Sequence, residues 1–520
     1  MAERRSSRPI IGDRDFSLGA FLDELTASGA LVTHDAPVDL ADVAAALDGG
    51  AEAMLFKSVG PEGAMLAGNV AGSRKRLAIA FDTSVEALLP TVLARLKNPA
   101  ETREIARADA PVQEVVHEGA DADFTALPIH LQHGFDGGPY VSSSMDIVTD
   151  PRTGLTNVGI RRLMLRGRRE AGVDLVAPSD LKAIYEHQSG RGEPLPIAFV
   201  VGSHPVDHVA ATMRLPVDEV GLMASLRDGP LPVVKCVTNE VRVPADAEYV
   251  LEGYLDARGH VEPEGPYGEF LGYYGGVKIN PVFHLTAVTH RRAPVFQTST
   301  IAGRNLGITD SAQLIALRTE VSVWRALETA IREPLSVHAT TSSGGMFNIR
   351  IAMRQRVPGE ARNAIAAAFG ALANIKHVFV FDPDIDVFSD QQSDWALATR
   401  FQADRDLVVQ SGMRVLPLDP SLDGARVGSK AGFDCTMPLS IASSLESRVP
   451  KAPTYEGERF ASIEEALRDG PKSFEALMAA IGTRDGREIV REFDTLRAAG
   501  RLGRTVEGLW TDGREARGDA

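Results

Sequence analysis

The segment Glu264-Gly-Pro-Tyr-Gly-Glu269 holds two carboxylates on either side of a Pro and two Gly residues. That composition forces a turn, which brings Glu264 and Glu269 close in space. Carboxyl groups crowded together titrate apart, so one stays ionised while the other can carry a proton near neutral pH, as acid/base work requires. A solvated turn with both groups pointing outward is the alternative. Upstream, Thr156-Asn-Val-Gly-Ile-Arg-Arg162 has the pattern of a strand carrying Asn157, Arg161 and Arg162. Strand alternation sets Asn157 and Arg162 on opposite faces. Both serve one site only if a bulge, most simply at Gly159, resets the register. Two arginines at a strand edge is the plainer alternative.

These residues lie between Val112 and about Arg304, where short β-rich runs (YVSSSMDIV, GIRRLML, IAFVVG, VVKCVT, FHLTAV) alternate with Gly, Pro and Asp turns. The pattern predicts a β-barrel or sandwich, interrupted by helices near Ser179–Gln188 and Val217–Arg227. Before it, helical spacing at Ala20–Ala27 and Leu40–Leu47, joined by an extended LVTHDAP stretch, predicts an α/β domain. After it, the Ala-rich helix at Ala361–Lys376 leads into the strand HVFVF and predicts a second α/β domain. The segment after Pro453 has the order helix, helix, hairpin, as in a winged helix. The expected fold class is thus mixed α/β and β. Its boundaries are 1–111, 112–310, 311–453 and an appended 454–520.

With 520 residues, 44% hydrophobic and 24% charged, the chain has ordinary globular composition. Its net charge of -15, from 55 basic and 70 acidic residues, repels a phosphate backbone, so nucleic acid is not expected as a partner. Lys472–Asp512 holds equal numbers of basic and acidic side chains, which points to a packing or dimer-contact module instead of DNA binding. The opening MAERRSSRPIIGDRDFS has no apolar stretch behind its basic start, so neither secretory leader nor membrane anchor is expected. Two cysteines, Cys236 and Cys435, are too few for a disulfide framework or a four-thiolate zinc site and suit a reducing cytoplasm. Asp382-Pro-Asp-Ile-Asp386 begins like a calcium loop, but its sixth residue is Val387 and its twelfth Ser393, so a solvated strand end is expected. GARVGSKAG is too short between Gly424 and Gly428 for a phosphate loop, and Ser429 precedes Lys430. No G-x-S-x-G, H-E-x-x-H or dinucleotide fingerprint occurs.

Several of these stretches, in order, resemble the UbiD-like decarboxylases that use prenylated flavin mononucleotide (FMN). They are DPRTGLTNVGIRR, VVKCVTNEVRVPADAEYVLEGYL, EGPYGEFLGYY, DIDVF followed by WALATR, and GSKAGFDCT, within Phe16–Pro438. The resemblance implies a split β-barrel flavin-binding domain between two α/β domains, with catalytic Arg162, Glu264 and Glu269. Flavin contacts fall on Asn157, Ile160, Arg161, Arg162 and Lys430. A cation, Mn2+ or Mg2+ with K+ as a further candidate, falls to Asn157, Glu219 and a third ligand. That third ligand is usually a histidine, but Asp180 occupies its position here, with His187 nearby. A carboxylate oxygen suits a hard divalent cation as well.

The implied reaction is reversible, non-oxidative decarboxylation of an aromatic or heteroaromatic carboxylic acid, with release or capture of CO2. Arg162 anchors the carboxylate, Glu264 holds Arg162, and Glu269 delivers the proton. A polyprenyl-hydroxybenzoate, an α,β-unsaturated acid, and a non-catalytic flavin-binding barrel remain as alternatives. Phe270, Leu271, Tyr273 and Tyr274 would either line an aromatic pocket or belong to the barrel core. A flavin prenyltransferase would supply the cofactor, and a homodimer or multiple of dimers is expected.

Overall fold

The computed structural model describes residues 11–513 apart from Ser443. Most of the segment assessed for a leader therefore lies outside the described residues. The chain divides into one compact unit ending at Cys435 and a second beginning at Thr436, earlier than the expected start at 454.

The first unit opens with helix α1 (Leu18–Ala27), strand β1 (Leu31–His34), helix α2 (Leu40–Leu47) and strands β2 (Ala53–Val59) and β3 (Ala64–Gly68). Ser17 caps α1 by accepting from the Ala20 N–H, and Leu18, Phe21, Leu22 and Leu25 are buried along one helical stripe. The sheet runs β1-β2-β3 and gains a fourth strand, Val295–Thr298, which returns from beyond the barrel to pair in parallel with β3. No local pattern foretells that pairing.

The middle of the unit is a closed antiparallel barrel. Its six strands are β4 (Tyr140–Thr149), β5 (Thr156–Leu165), β6 (Glu170–Val173), β7 (Leu195–Val201), β8 (Tyr249–Leu255) and β9 (Val282–His290). Around the barrel the order is β4-β5-β6-β9-β8-β7, and β7 pairs back to β4. Closure leaves these strands no open edge. Alternation divides each strand between two cores: Ile197, Phe199 and Val201 join the interior, while Ala198 and Val200 join the cluster packed under helices α3 (Pro205–Thr212) and α4 (Glu219–Arg227). The expected insertions appear as Asp180–Ser189 and α4, whereas α3 escaped the sequence reading. It starts with Pro205 at its first turn and is buried from Pro205 to Ala211, so it carries no amphipathic signal.

The last part of the first unit packs helix α5 (Asp310–Ala330) and helix α6 (Glu360–Ala371) on a five-stranded sheet. That sheet has the order β10 (Pro334–Ala339), β11 (Asn348–Met353), β12 (His377–Phe381), β14 (Val427–Cys435), β13 (Leu407–Arg414). The three middle strands are mutually parallel. The DPDID loop is not simply solvated: Arg400, whose side chain is almost wholly buried, pairs with Asp382 at 2.7 Å and Asp384 at 2.6 Å. The guanidinium pulls Asp384 below the ordinary carboxylate range.

In the second unit, helices Ile463–Arg468, Phe474–Ile481 and Gly486–Ala498 precede the hairpin strands Gly503–Arg504 and Trp510–Thr511. Both cysteines are free and buried. No helix among the described residues is long and apolar enough to cross a membrane.

Candidate active site

Arg162 sits on β5 opposite a change of register in β4. Between Val141 and Ser144, β4 carries an extra residue, so Ser142 and Ser143 together face Arg162. Side-chain hydroxyls hold this bulge: Ser142 Oγ accepts from the Ser299 N–H at 2.9 Å, Ser143 Oγ meets His208 Nε2 at 3.3 Å, and Ser144 Oγ donates to the Arg161 carbonyl at 2.6 Å. The bulge expected at Gly159 is therefore misplaced. Gly159 stays in register opposite Asp146, whose Oδ1 would lie 2.9 Å from any Cβ there. Consequently Asn157 and Arg162 keep separate partners.

Around Arg162 the structure gathers three acids instead of two. Its Nε donates to Glu264 Oε1 at 3.1 Å, its Nη1 to Glu269 Oε2 at 3.2 Å, and its Nη2 to Asp174 Oδ2 at 3.0 Å. Below the guanidinium lies the Tyr267 ring, 4.6 Å from carbon to centroid. Burial alone would weaken the arginine's hold on its proton. Glu269, Glu264 and Asp174 outweigh it and raise the guanidinium above its ordinary value, so the charge is permanent.

Glu264 is fully buried and accepts further from Tyr140 Oη at 3.0 Å and Asn280 Nδ2 at 3.3 Å. Lys278 Nζ completes the cluster, 2.8 Å from Asp174 Oδ2 and 3.5 Å from Glu269 Oε1. For Asp174, burial pushes upward, but Arg162 and Lys278 prevail and hold its carboxyl down at about 2. Sequence reasoning missed Asp174 and Lys278, since neither lies in a recognisable motif.

The turn between the two glutamates is built on close approaches. Gly268 donates its N–H to Asp136 Oδ1 at 2.9 Å, and a Cβ at Gly268 would sit 2.5 Å from His133 Nδ1. A Cβ at Gly275 would sit 2.7 Å from Glu269 Oε1. Only glycine fits either position without moving a functional side chain. Of Phe270, Leu271, Tyr273 and Tyr274, the two tyrosines are exposed and belong to no core, while Leu271 packs against Gly344.

A cavity of about 380 Å3 has a lining that includes His130, Gln132, His133, Ser299, Thr300 and Asn305 and none of Arg162, Glu264 and Glu269. Gln132 Oε1 accepts from Tyr267 Oη at 2.6 Å, which joins the cavity wall to the aromatic ring under Arg162.

Asn157 Nδ2 donates to Glu219 Oε2 at 2.7 Å, and the Val158 N–H donates to the same oxygen at 2.6 Å. Burial, with the negative charge of Asp180 and Asp146, pushes the Glu219 carboxyl up to about 7. Asp146 Oδ2 is buried without a hydrogen-bond partner. Among the described residues no group of three His, Cys, Asp or Glu is gathered at metal-holding distance. The oxygen donors of Asn157, Glu219 and Asp180 nonetheless fit a hard divalent cation, which would neutralise this excess of negative charge. For a flavin, β5 offers Asn157 and Arg161 on one face and Ile160 and Arg162 on the other, all partly buried, whereas β4 is buried from Tyr140 through Val148.

Lys430 stands apart from this group. It is neither at a cleft nor on an exposed loop: only 2% exposed, it donates to the Phe369 and Leu372 carbonyls at the end of α6, at 3.1 and 3.4 Å. Burial lowers its ammonium to about 8.

Three family models match the chain in sequence order. They describe 3-octaprenyl-4-hydroxybenzoate carboxy-lyase: its N-terminal domain over residues 22–96, its Rift-related domain over 103–305 and its C-terminal domain over 312–435. The chain belongs to the UbiD family. This UbiD-family carboxy-lyase is 30% identical to the anhydromevalonate phosphate decarboxylase of Methanosarcina mazei, over 82% of the chain and 98% of that relative. It is 29% identical to the gallate decarboxylase of Lactiplantibacillus plantarum, over 76% and 86%. Its fold is similar to that of the UbiD-class enzyme HmfF from Pelotomaculum thermopropionicum in complex with FMN. The TM-score is 0.78 at 34% identity, covering 84% of this chain and 97% of that one. An evolved dimeric form of the same enzyme in complex with prFMN gives 0.76 at 33% identity, with the same coverage.

Proposed function

We propose that this UbiD-family chain catalyses the reversible, non-oxidative decarboxylation of an aromatic or heteroaromatic carboxylic acid, with prenylated FMN as cofactor. The observation that carries this reading is the single guanidinium of Arg162 shared by Glu264 and Glu269 over the Tyr267 ring. The gallate decarboxylase relative and the flavin-bound HmfF structures support it.

Loss of CO2 from an sp2 carbon leaves charge that the ring cannot delocalise, and the bound modified flavin supplies the electron sink. Asn157, Ile160, Arg161 and Arg162 would line its site. Asn157, Glu219 and Asp180 would hold Mn2+ or Mg2+ there. Arg162 receives the substrate carboxylate on its planar fork. Glu264, held by Tyr140 and Asn280, keeps Nε and fixes the plane of the fork. The arriving carboxylate competes for Nη1 and releases Glu269 from its ion pair. Glu269, freed as a carboxylate, takes up a proton from solvent and gives it to the carbon that has lost CO2, and in the carboxylation direction removes that proton. Lys278 stays beside Glu269 and limits its swing.

At about 380 Å3 the cavity lies at the small end of the range for small-molecule sites, ~300–1,000 Å3, and its polar lining suits a single-ring acid better than a polyprenyl chain. A flavin prenyltransferase would supply the cofactor, and a homodimer or a multiple of it would be the assembly. The test is co-expression with such a prenyltransferase, then headspace CO2 across single-ring, polyprenylated and α,β-unsaturated acids. CO2 from a single-ring acid supports the reading. CO2 only from a polyprenylated or unsaturated acid overturns the substrate class. Flavin binding with no CO2 from any acid identifies a non-catalytic barrel.

A further inference from the structure

Two histidines outside the Arg162 cluster meet on neighbouring strands. The short strand Val115–Glu118 pairs antiparallel with β9, with His117 opposite Val288 and Val115 opposite His290. His117 and His290 are therefore diagonal neighbours on one face of the ladder. Their Nε2 atoms are 3.4 Å apart, and their rings lie 22° from parallel with centroids 5.5 Å apart. Behind the pair, His290 Nδ1 lies 2.6 Å from the Arg291 carbonyl, which can only accept. In the neutral ring Nδ1 then carries the hydrogen, and Nε2 presents a lone pair. Burial lowers the His290 imidazolium below its ordinary value against the pull of that carbonyl, and the His117 ring lowers it further, so the ring is neutral near neutral pH. The Tyr249 ring packs against His290, with centroids 5.3 Å apart.

We propose that His117 and His290 form a zinc site, with Nε2 of each ring as a ligand and water in the remaining positions. Zinc takes imidazole nitrogens at ~2.0–2.1 Å in tetrahedral geometry, which sets two such nitrogens about 3.3–3.4 Å apart. The observed separation is that of a tetrahedral pair, since a right-angled octahedral pair at the same bond lengths would lie about 2.8–3.0 Å apart. A carbonyl that accepts from the other ring nitrogen, as Arg291 does, is the usual outer partner of a metal-bound histidine. Among the described residues no third His, Cys, Asp or Glu completes the pair, so the ion keeps open positions, as catalytic zinc does. Without metal the same two nitrogens share a hydrogen bond; with it, His117 carries its hydrogen on Nδ1. The site does not draw on Arg162, Glu264 or Glu269. Its nitrogen donors also set it apart from Asn157, Glu219 and Asp180, whose oxygens suit Mn2+ or Mg2+.

The test is calorimetric titration of Zn2+ into the full chain, first stripped with EDTA and then saturated with Mg2+, so that the oxygen donors are occupied. Wild type should bind zinc. His117→Ala and His290→Gln should each weaken its tightest zinc site by about tenfold or more, since even an outer partner of a bound metal is worth that much. Zinc should raise the melting midpoint of wild type and leave that of each variant where it was, while Mn2+ affinity is the same in all three proteins. His117 is exposed, so His117→Ala decides the matter even where His290→Gln, packed on Tyr249, fails to fold by circular dichroism. No zinc binding by wild type, zinc affinity that survives His117→Ala, or a folded His290→Gln that binds zinc as wild type does overturns the proposal.

Discussion

Asp174→Asn is the substitution whose effect can be worked out most fully. The carboxyl lies between Arg162 Nη2 at 3.0 Å and Lys278 Nζ at 2.8 Å, with its side chain 16% exposed. Burial pushes its pKa up, but the two cations bring it from 3.8 down to about 2. A shift of that size corresponds to about 2 kcal/mol of folding free energy at neutral pH. The sign follows from the direction. A carboxyl depressed in the folded state adds stability that is fully present above pH 3.8 and is lost as pH falls from there toward 2. Urea unfolding of the barrel, followed for wild type and variant at steps between pH 2.5 and 7, should show the wild type more stable by about 2 kcal/mol at pH 6–7. The gap should close below pH 4. A gap that stays constant over the whole range, or no gap at pH 7, would refute the electrostatic reasoning. Decarboxylation should weaken too, mainly through a raised KM, because Arg162 loses one of the acids that fix its plane.

Tyr140→Phe removes a donor from the buried carboxylate of Glu264 and should cost about 1.5–3 kcal/mol, read as a lower melting midpoint. An unchanged midpoint would show that the hydroxyl contributes nothing. Gly275→Ala inserts a methyl group 2.7 Å from Glu269 Oε1 and should lower kcat by about tenfold or more while the fold persists, as judged by circular dichroism. Full kcat would show that the position of Glu269 does not matter.

The catalytic turn was legible because Pro266, Gly265 and Gly268 leave the chain few conformations, so Glu264 and Glu269 had to lie near each other. The strand bearing Arg162 was legible from its apolar alternation, and α1, α2 and α6 from their periodicity. Other features depend on distant partners. The bulge falls on Ser142–Ser143 because hydroxyls can replace lost ladder bonds there, whereas Gly159 drew attention only by lacking a side chain. Asp174 and Lys278 meet Arg162 through barrel closure, and the strand Val295–Thr298 joins a sheet formed more than two hundred residues earlier. Lys430 sits in a phosphate-like sequence, yet it serves the carbonyls at the end of α6, a role that only tertiary packing can assign.

The central claim is that Glu269 moves a proton to and from the substrate carbon while Arg162 holds the carboxylate. Its most direct measurement is hydrogen–deuterium exchange at that carbon by flavin-loaded Glu269→Gln in deuterated buffer, with flavin binding followed in the same sample by absorbance. Flavin bound at wild-type levels, with both exchange and CO2 release abolished, is the predicted result. Wild-type exchange or turnover in that variant would contradict the account.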